Sequence, residues 1–529
     1  MKVAELTKTL AYGPAPEAAK PALDWIAEHN AKFQLFINNE WKNPSGKEWF
    51  DSMNPATGKK LASIAQATAA DVSTAVKAAR KAYPSWSATP GHIRARYLYA
   101  IARQIQKHSR LFAVLETLDN GKPIRETRDI DIPLVARHFY YHAGWAQLMD
   151  KELPDHQSLG VVAQIIPWNF PLLMLSWKIA PAIAMGNTVV LKPAEFTSLT
   201  ALLFAEICAS VGLPPGVVNI ITGDGRTGSA MVDHPDVDKI AFTGSTDVGR
   251  IIRKATAGTH KKLSLELGGK NAMLVLDDAD PMDAASKAVY ACFTSMGQLC
   301  VSIERIYVDR RVAEVFIPEF ARKTRALVLG SAFDYSTDVG SLTSAAQLER
   351  ITAKVGDAVA KGATVLAGGK ARPELGPYFF EPTVLTNVTP AMECFAAETF
   401  GPVVAVTIVD SEAEAIAAAN DTEFGLNASV FTGSVARGRR VADQLNTGSV
   451  NINEGYRGSF GSVDAPMGGM KKSGLGRRNG VEGMTRFVDA RTVAELTGLL
   501  ALPTTGRHFE RLVGPLVLLA KVLKAIRRA

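Results

Sequence analysis

A chain of 529 residues, 47% apolar and 21% charged, has enough hydrophobic side chains for two or three packed cores and too few charges for a disordered protein. Its net charge of +7 suggests nucleic acid only until it is located, because residues 507–529 carry +5 of it and leave the body near neutral, so no nucleic-acid partner is expected. Four scattered cysteines argue against a disulfide framework and for a reducing, cytoplasmic setting, and no run reaches the roughly 18 to 20 apolar residues of a membrane span or forms a secretory leader.

In chain order, FQLFINNEW (33–41) predicts a hairpin, and the stretch from there to about residue 150 reads as mostly helical. Beyond it, the β-branched runs VVAQII (161–166), NTVVLK (187–192), VVNIIT (217–222) and KIAFTG (239–244) predict strands. Between them, TALLFAEICASVG (200–212) and STDVGRIIRKATAG (245–258) carry apolar residues at helical spacing. A second set begins with NAMLVL (271–276) and RIYVD (305–309) and runs past VVAVTIVD (403–410). Strands alternating with helices imply βαβ units, so the pattern predicts two α/β lobes with mainly parallel sheets, split near 268–271.

The candidate chemistry is ambiguous piece by piece. GDGRTG (223–228) fits the dinucleotide pattern, and FTGSTDVG (242–249) opens a helix whose N-terminus would face an anion. Each is also an ordinary βα turn. GQLCVSIER (297–305) sets Cys300 between the helix-like run AASKAVYACFTSM and a strand. An isolated cysteine of this kind is more often a small buried hydrophobe than a nucleophile. Cys208 and Cys292 read as core, Cys394 carries no assigned role, and no Cys/His cluster has zinc spacing, so no metal is expected.

Taken together, IPWNFP (166–171), LKPAE (191–195), FTGST (242–246), LELGGK (265–270), GQLC (297–300), ETFGPV (398–403) and APMGGMKKSGLGR (465–477) resemble, in order and spacing, the NAD(P)-dependent aldehyde dehydrogenase superfamily. The resemblance runs over about residues 33 to 500. It implies an aldehyde dehydrogenase-like α/β fold with a Rossmann-like cofactor lobe at 33–148 and 161–266, after an N-terminal extension at 1–32. A catalytic lobe follows at 267–445, with a return to the interface at 446–483. Oligomerisation strands at 149–160 and 484–500 would support a homodimer or homotetramer, and 501–529 would be a tail.

The same resemblance makes Cys300 the nucleophile, Asn169 an oxyanion donor with the Cys300 backbone N–H, and Glu266 the base that activates water. Thiolate chemistry suits these roles, since sulfur adds readily to a carbonyl and fixed donors stabilise the adduct. Retention of Glu266 favours hydrolysis to the free acid over acyl transfer to a thiol. Cofactor contacts are implied for Ile166, Pro167, Trp168, Lys192, Glu195, Gly225, Phe242, Gly244, Ser245, Val248, Leu267, Glu398 and Phe400. A carboxylate at 195 would accept from ribose hydroxyls and repel a 2′-phosphate, so NAD is expected over NADP. Phe170, Met174 and Trp177 match a substrate funnel for a small aldehyde, and Tyr456, Arg457 and Phe460 are expected at its entrance.

From about residue 271 the chain looks most like bacterial succinate-semialdehyde dehydrogenases, and its first half like general aldehyde dehydrogenases. That narrower substrate, and a catalytically silent structural member of the family, are the alternative readings. The tail GPLVLLAKVLKAIRRA (514–529) predicts an amphipathic helix over 515–527 with Pro515 at its first position. Its leucine face is expected against this or a neighbouring subunit, the alternative being a peripheral contact with anionic lipid.

Overall fold

Val161–Ile165, Thr188–Lys192 and Lys239–Thr243 are buried along their whole length, which is why their sequences are nearly continuous apolar runs. The computed structural model describes residues 17–495 and 505–526, in two units that divide at Asp489. In the first unit these strands form the centre of an eight-stranded sheet ordered Gly474–Leu475, Lys262–Glu266, Lys239–Thr243, Val161–Ile165, Thr188–Lys192, Val218–Ile220, Leu35–Ile37, Glu40–Lys42. The five strands from Lys262–Glu266 to Val218–Ile220 are parallel, and antiparallel neighbours close both edges. Alternate side chains enter different cores: Val161, Ala163 and Ile165 pack with Ala75, Val76 and Met231, whereas Val162 packs with Leu172 and Ile179. The helix Pro171–Ala184 is buried on every side, so it is apolar all round rather than amphipathic.

A second, seven-stranded sheet runs Thr364–Ala367, Thr383–Thr386, Val403–Val409, Ile303–Asp309, Asn271–Val275, Asn427–Phe431, Ser449–Ile452. It is parallel except at the Thr364–Ala367 edge. The chain passes from one sheet to the other through residues 267–270. The carboxyl ends of the first sheet's strands therefore meet the amino ends of the second sheet's strands. Open parallel sheets bind ligands at their carboxyl ends, and that edge is where the cleft lies.

Several expectations need correction. Trp49–Asn54 and Lys59–Ala65 form an antiparallel pair inside the region read as helical, joined across NPATG, a turn sequence by composition. Within the expected N-terminal extension at 1–32, of which residues 1–16 lie outside the described residues, Lys20–Glu28 is a helix that buries Ala22, Trp25 and Ile26. Of 149–160, only His156–Ser158 is a strand; it pairs with Val488–Ala490, while Met149 to Glu152 end a helix. The second sheet extends past residue 445 to include Ser449–Ile452.

The second unit contains the helix Gly506–Ala525. It begins before Pro515, so Pro515 lies inside the helix and not at its first position. Proline there removes one backbone donor, a loss that a solvated helix can offset by bonding the freed carbonyl to water. Leu516, Leu518 and Leu519 are exposed within the single chain. Among the described residues no helix is long and apolar enough to cross a membrane.

One ion pair fixes the junction between the sheets. Glu304 accepts from Lys270 Nζ at 2.5 Å, with the two side chains 3% and 2% exposed, and also from the backbone N–H groups of Thr399 and Phe400. Removing one partner of a buried pair strands the other charge. Glu304→Ala is expected to lower stability by about 3–5 kcal/mol in urea unfolding, and an unchanged midpoint would refute the clamp.

Candidate active site

Cys300 sits where a helix gives way to a strand, and the backbone there is forced into an unusual path. Pro281–Phe293 is followed by a tight turn, Thr294–Gly297, in which Ser295 and Met296 take left-handed φ values of 53° and 58°. Gly297 is also left-handed, and a β-carbon on it would stand 2.3 Å from the Gly401 carbonyl. Asn271 Nδ2 donates to the Cys300 carbonyl at 2.8 Å and to the Ser302 carbonyl at 2.7 Å, fixing the peptide after the thiol.

An open cleft of about 650 Å³ is lined by Pro167, Trp168, Asn169, Met174, Gly244, Ser245, Leu267, Cys300, Glu398 and Phe400, all from the sequence-derived set. Thr243, Gly268, Gln347 and Arg350 line it too and were not foreseen. Asn169 donates one amide hydrogen to the Gln298 carbonyl at 2.8 Å, which leaves its second N–H for another acceptor. Trp168 and Phe400 meet edge to face, with ring centroids 5.4 Å apart.

Phe400 holds a left-handed φ of 53°. The helix Ala345–Ala360 secures it, since Gln347 donates to the Phe400 carbonyl at 3.0 Å and Lys354 to the Glu398 carbonyl at 2.7 Å. Glu398 accepts from the Gly269 N–H at 2.8 Å. Burial, reinforced by the nearby Glu304 carboxylate, pushes its own carboxyl up to about 7.

The turn at 244–245 has the geometry to receive an anion. Ser245 caps the helix Thr246–Thr256 by accepting from the Val248 N–H, and Gly244 and Ser245 both open onto the cleft. A nucleotide cofactor fits this helix terminus and the aromatic pair across from it. Lys192 Nζ donates to the Gly223 carbonyl at 2.6 Å and stands 3.7 Å from Glu195, and burial holds its amine below the usual range. Glu195 lines a separate shallow hollow with Asp224, Arg226 and Trp49. Gly225 opens the helix Gly225–Asp233, which Asp224 caps.

Other expected residues fall elsewhere. Ile166 is buried in the core, Val248 is exposed outside the cleft lining, and Phe242 lines a second cavity that also holds Glu266. Phe170, Trp177 and Phe460 pack together, with Phe460 5.4 Å and 5.1 Å from the other two rings. Tyr456 and Phe460 are 5% and 3% exposed, so they form a buried wall and not an entrance. Arg457 is on the outside, stacked 3.7 Å over Tyr290 and paired with Glu454 at 3.6 Å. Its long side chain finds those surface partners and does not turn inward.

Sequence reasoning missed Lys178, Arg478 and Arg486, which share the second cavity with Glu266. Arg478 and Arg486 belong to a stretch rich in basic residues that reads as solvated surface. Glu266 ends the strand Lys262–Glu266 and stands 3.5 Å from Arg486. Burial pushes the Cys300 thiol up to about 12, against the pull of Arg478, whose positive charge favours the thiolate.

A thiol, an amide donor and a helix terminus opening on one cleft between two parallel sheets define a two-lobed α/β enzyme. The chain belongs to the aldehyde dehydrogenase family, whose model matches residues 41–493. It is 43% identical over 451 residues to a Mycobacterium bovis protein named a putative succinate-semialdehyde dehydrogenase of the NADP(+) type, covering 83% of this chain and 87% of that one. It is 40% identical to the chloroplastic betaine aldehyde dehydrogenase of Beta vulgaris, covering 87% and 95%. The NAD+ complex of an aldehyde dehydrogenase from Bacillus cereus superposes with a TM-score of 0.84 at 39% identity, covering 88% and 97%.

Because its folded-state pKa is raised, the Cys300 thiol is neutral at pH 7 and ionises only as the pH climbs toward that value. Iodoacetamide labelling of Cys300 in the cofactor-free protein, read by peptide mass spectrometry, should therefore accelerate continuously from pH 7 to 10. A plateau near pH 7 would show a thiolate already formed. Cys208, Cys292 and Cys394 are buried and should label more slowly.

Proposed function

We propose that the chain oxidises an aldehyde to its carboxylic acid through covalent intermediates on Cys300, with NAD as cofactor. The observation that carries this reading is the cleft itself, where Cys300 and Asn169 lie together with Gly244, Ser245 and Glu398. The Cys300 thiol gives up its proton to water in the cleft, and the thiolate sulfur adds to the carbonyl carbon to form the tetrahedral thiohemiacetal adduct. Its oxyanion is held by the free Asn169 N–H and the Cys300 backbone N–H, and losing such a donor typically costs about 10²–10³ in rate. Trp168, Glu398 and Phe400 would hold the nicotinamide of the cofactor, which would supply a hydride acceptor for this carbon. The thioester left on Cys300 is hydrolysed by water that Glu266 deprotonates, and the sulfur departs as the acid forms. Met174 supplies an apolar contact for the aldehyde's chain inside the cleft, and Phe170, Trp177 and Phe460 pack together in the core.

The presence of Cys300, Glu266 and Asn169 in one chain weighs against a silent structural role. The family's retained base also favours water over a thiol or phosphate as acyl acceptor. A homodimer or homotetramer fits the short pair His156–Ser158 and Val488–Ala490 as its joining element.

NADP is the second cofactor reading. It is supported by the naming of the Mycobacterium relative and by Arg226, which lies in the same hollow as Glu195 and would attract a 2′-phosphate. Against it, Asp224 and Glu48 already pair with that guanidinium at 3.0 Å and 3.1 Å, and Asp51 and Glu195 add two more carboxylates to the hollow.

Cys300→Ala should abolish NADH formation with a panel of aldehydes while leaving NAD affinity within about twofold, because the cofactor contacts lie elsewhere. In Glu266→Gln, stopped-flow should show a burst of NADH followed by slow turnover. Normal steady-state rates in Cys300→Ala would refute the mechanism. Glu195→Ser should shift preference toward NADP by removing like-charge repulsion, and a parent enzyme already strongly selective for NADP would overturn that electrostatic assignment.

A further inference from the structure

The carboxylate of Glu266 opens into a cavity also lined by Lys178, Arg478 and Arg486. Burial lowers the Lys178 amine to about 7, so the guanidinium groups of Arg478 and Arg486 are the cations that face it. Lys239 approaches from the sheet, donating to Ser264 Oγ at 2.6 Å, and Arg486 Nε donates to the same oxygen at 2.9 Å. Arg486 also donates to the Arg477 carbonyl, and Lys178 to the Thr243 hydroxyl. His142, the remaining titratable group of the lining, is held uncharged by burial, its pKa lowered to about 4.

Arg478 is the most exceptional of these groups. It is 7% exposed, and among the described residues no oxygen accepts a hydrogen bond from its side chain. Its Nε has no partner at all, and one terminal nitrogen points at the Met467 thioether, a weak acceptor. The guanidinium lies 3.2 Å over the Trp177 ring, and this stacking fixes the plane of the fork without neutralising it. A buried cation with unmet donors is heavily penalised unless an anion completes it. A planar guanidinium matches a carboxylate in two parallel hydrogen bonds better than it matches a spherical ion.

We propose that this cavity is a binding site for a small carboxylate, with Arg478 as its principal ligand and Lys178 and Arg486 as flanking donors. The carboxylate has two sources. One is a free acid anion, including the product released from Cys300. The other is the distal carboxylate of an aldehyde whose carbonyl is at Cys300, a source that rests on the oxidation mechanism proposed above. Trp177 links the two places, since it lines the cavity and packs on Phe460, while Met174 on the same helix lines the Cys300 cleft.

The test begins with binding to the full chain without cofactor or aldehyde, so its failure is separate from any failure of the oxidation reading. Calorimetric titration with acetate at constant ionic strength should show saturable binding that neutral acetamide does not reproduce. Arg478→Met should weaken it by about tenfold or more, the loss expected for a charge-assisted hydrogen bond, and Arg478→Lys should restore part of it. Equal responses to acetate and acetamide, or undiminished acetate binding in Arg478→Met, would overturn the proposal. Should Arg478→Met fail to fold, acetate-soaked wild-type crystals decide: planar density paired with Arg478 supports the site, and water alone there refutes it. With binding established, kcat/KM for succinate semialdehyde against butanal separates the sources. A selective fall for the charged aldehyde in Arg478→Met assigns the site to the substrate's distal carboxylate, and equal changes for both assign it to a free anion.

Discussion

Residues 266 to 270, Glu-Leu-Gly-Gly-Lys, carry the chain from the last parallel strand of one sheet to the first strand of the other. Their shortness forces the carboxyl edge of the first sheet against the amino edge of the second. Each residue of the link meets the site. Glu266 enters the rear cavity, Leu267 and Gly268 line the cleft, Gly269 donates to Glu398, and Lys270 pairs with Glu304. Gly269 has no room for a side chain, since a β-carbon would stand 2.7 Å from the Cys300 carbonyl. The nucleophile's loop and the inter-sheet link are therefore packed backbone to backbone, and the reacting groups inherit the rigidity of both sheets.

Rigidity around the cleft is uneven in origin. On the first-sheet side it comes from strand ends and helix starts, with side chains projecting directly from them. On the second-sheet side, the loop 398–400 has no regular structure and is held instead by Glu304 from below and by Gln347 and Lys354 from the helix Ala345–Ala360. Glu398 there has one backbone donor among the described residues, and desolvation with the nearby Glu304 charge raises its carboxyl toward neutrality. A carboxyl poised there can donate or accept, which suits a group facing ribose hydroxyls in the proposed cofactor pose.

Much of this was legible in the sequence, because burial on both faces of a parallel strand leaves a β-branched run with little else to be. Val161–Ile165 and Lys239–Thr243 were read nearly to the residue for that reason. The cleft was legible through motifs that together resemble those of the aldehyde dehydrogenase family, since each alone reads as an ordinary turn or loop. What failed to read out was tertiary. Trp49–Asn54 carries polar residues on a half-exposed pair of strands, so its apolar pattern was too thin to mark it. Tyr456 and Phe460 were expected at an entrance because their segment looked loop-like, yet their rings close a core against Trp177 and Tyr290. Arg478 could not be found at all, since a buried arginine and a solvated one are the same letter. Only the position of Trp177 beneath it distinguishes them. Local pattern reports which face is buried, whereas the pairing of distant charges appears only once the chain has closed.

The central claim is that Cys300 carries the acyl group and Glu266 governs its release. Rapid-quench peptide mass spectrometry of Glu266→Gln, reacted with NAD and a saturating aldehyde, tests it most directly. The account requires the acyl mass to accumulate on the peptide containing Cys300 as NADH appears, and to persist after the burst. NADH produced in a burst with no acyl mass on Cys300, or with that mass on another residue, would contradict it.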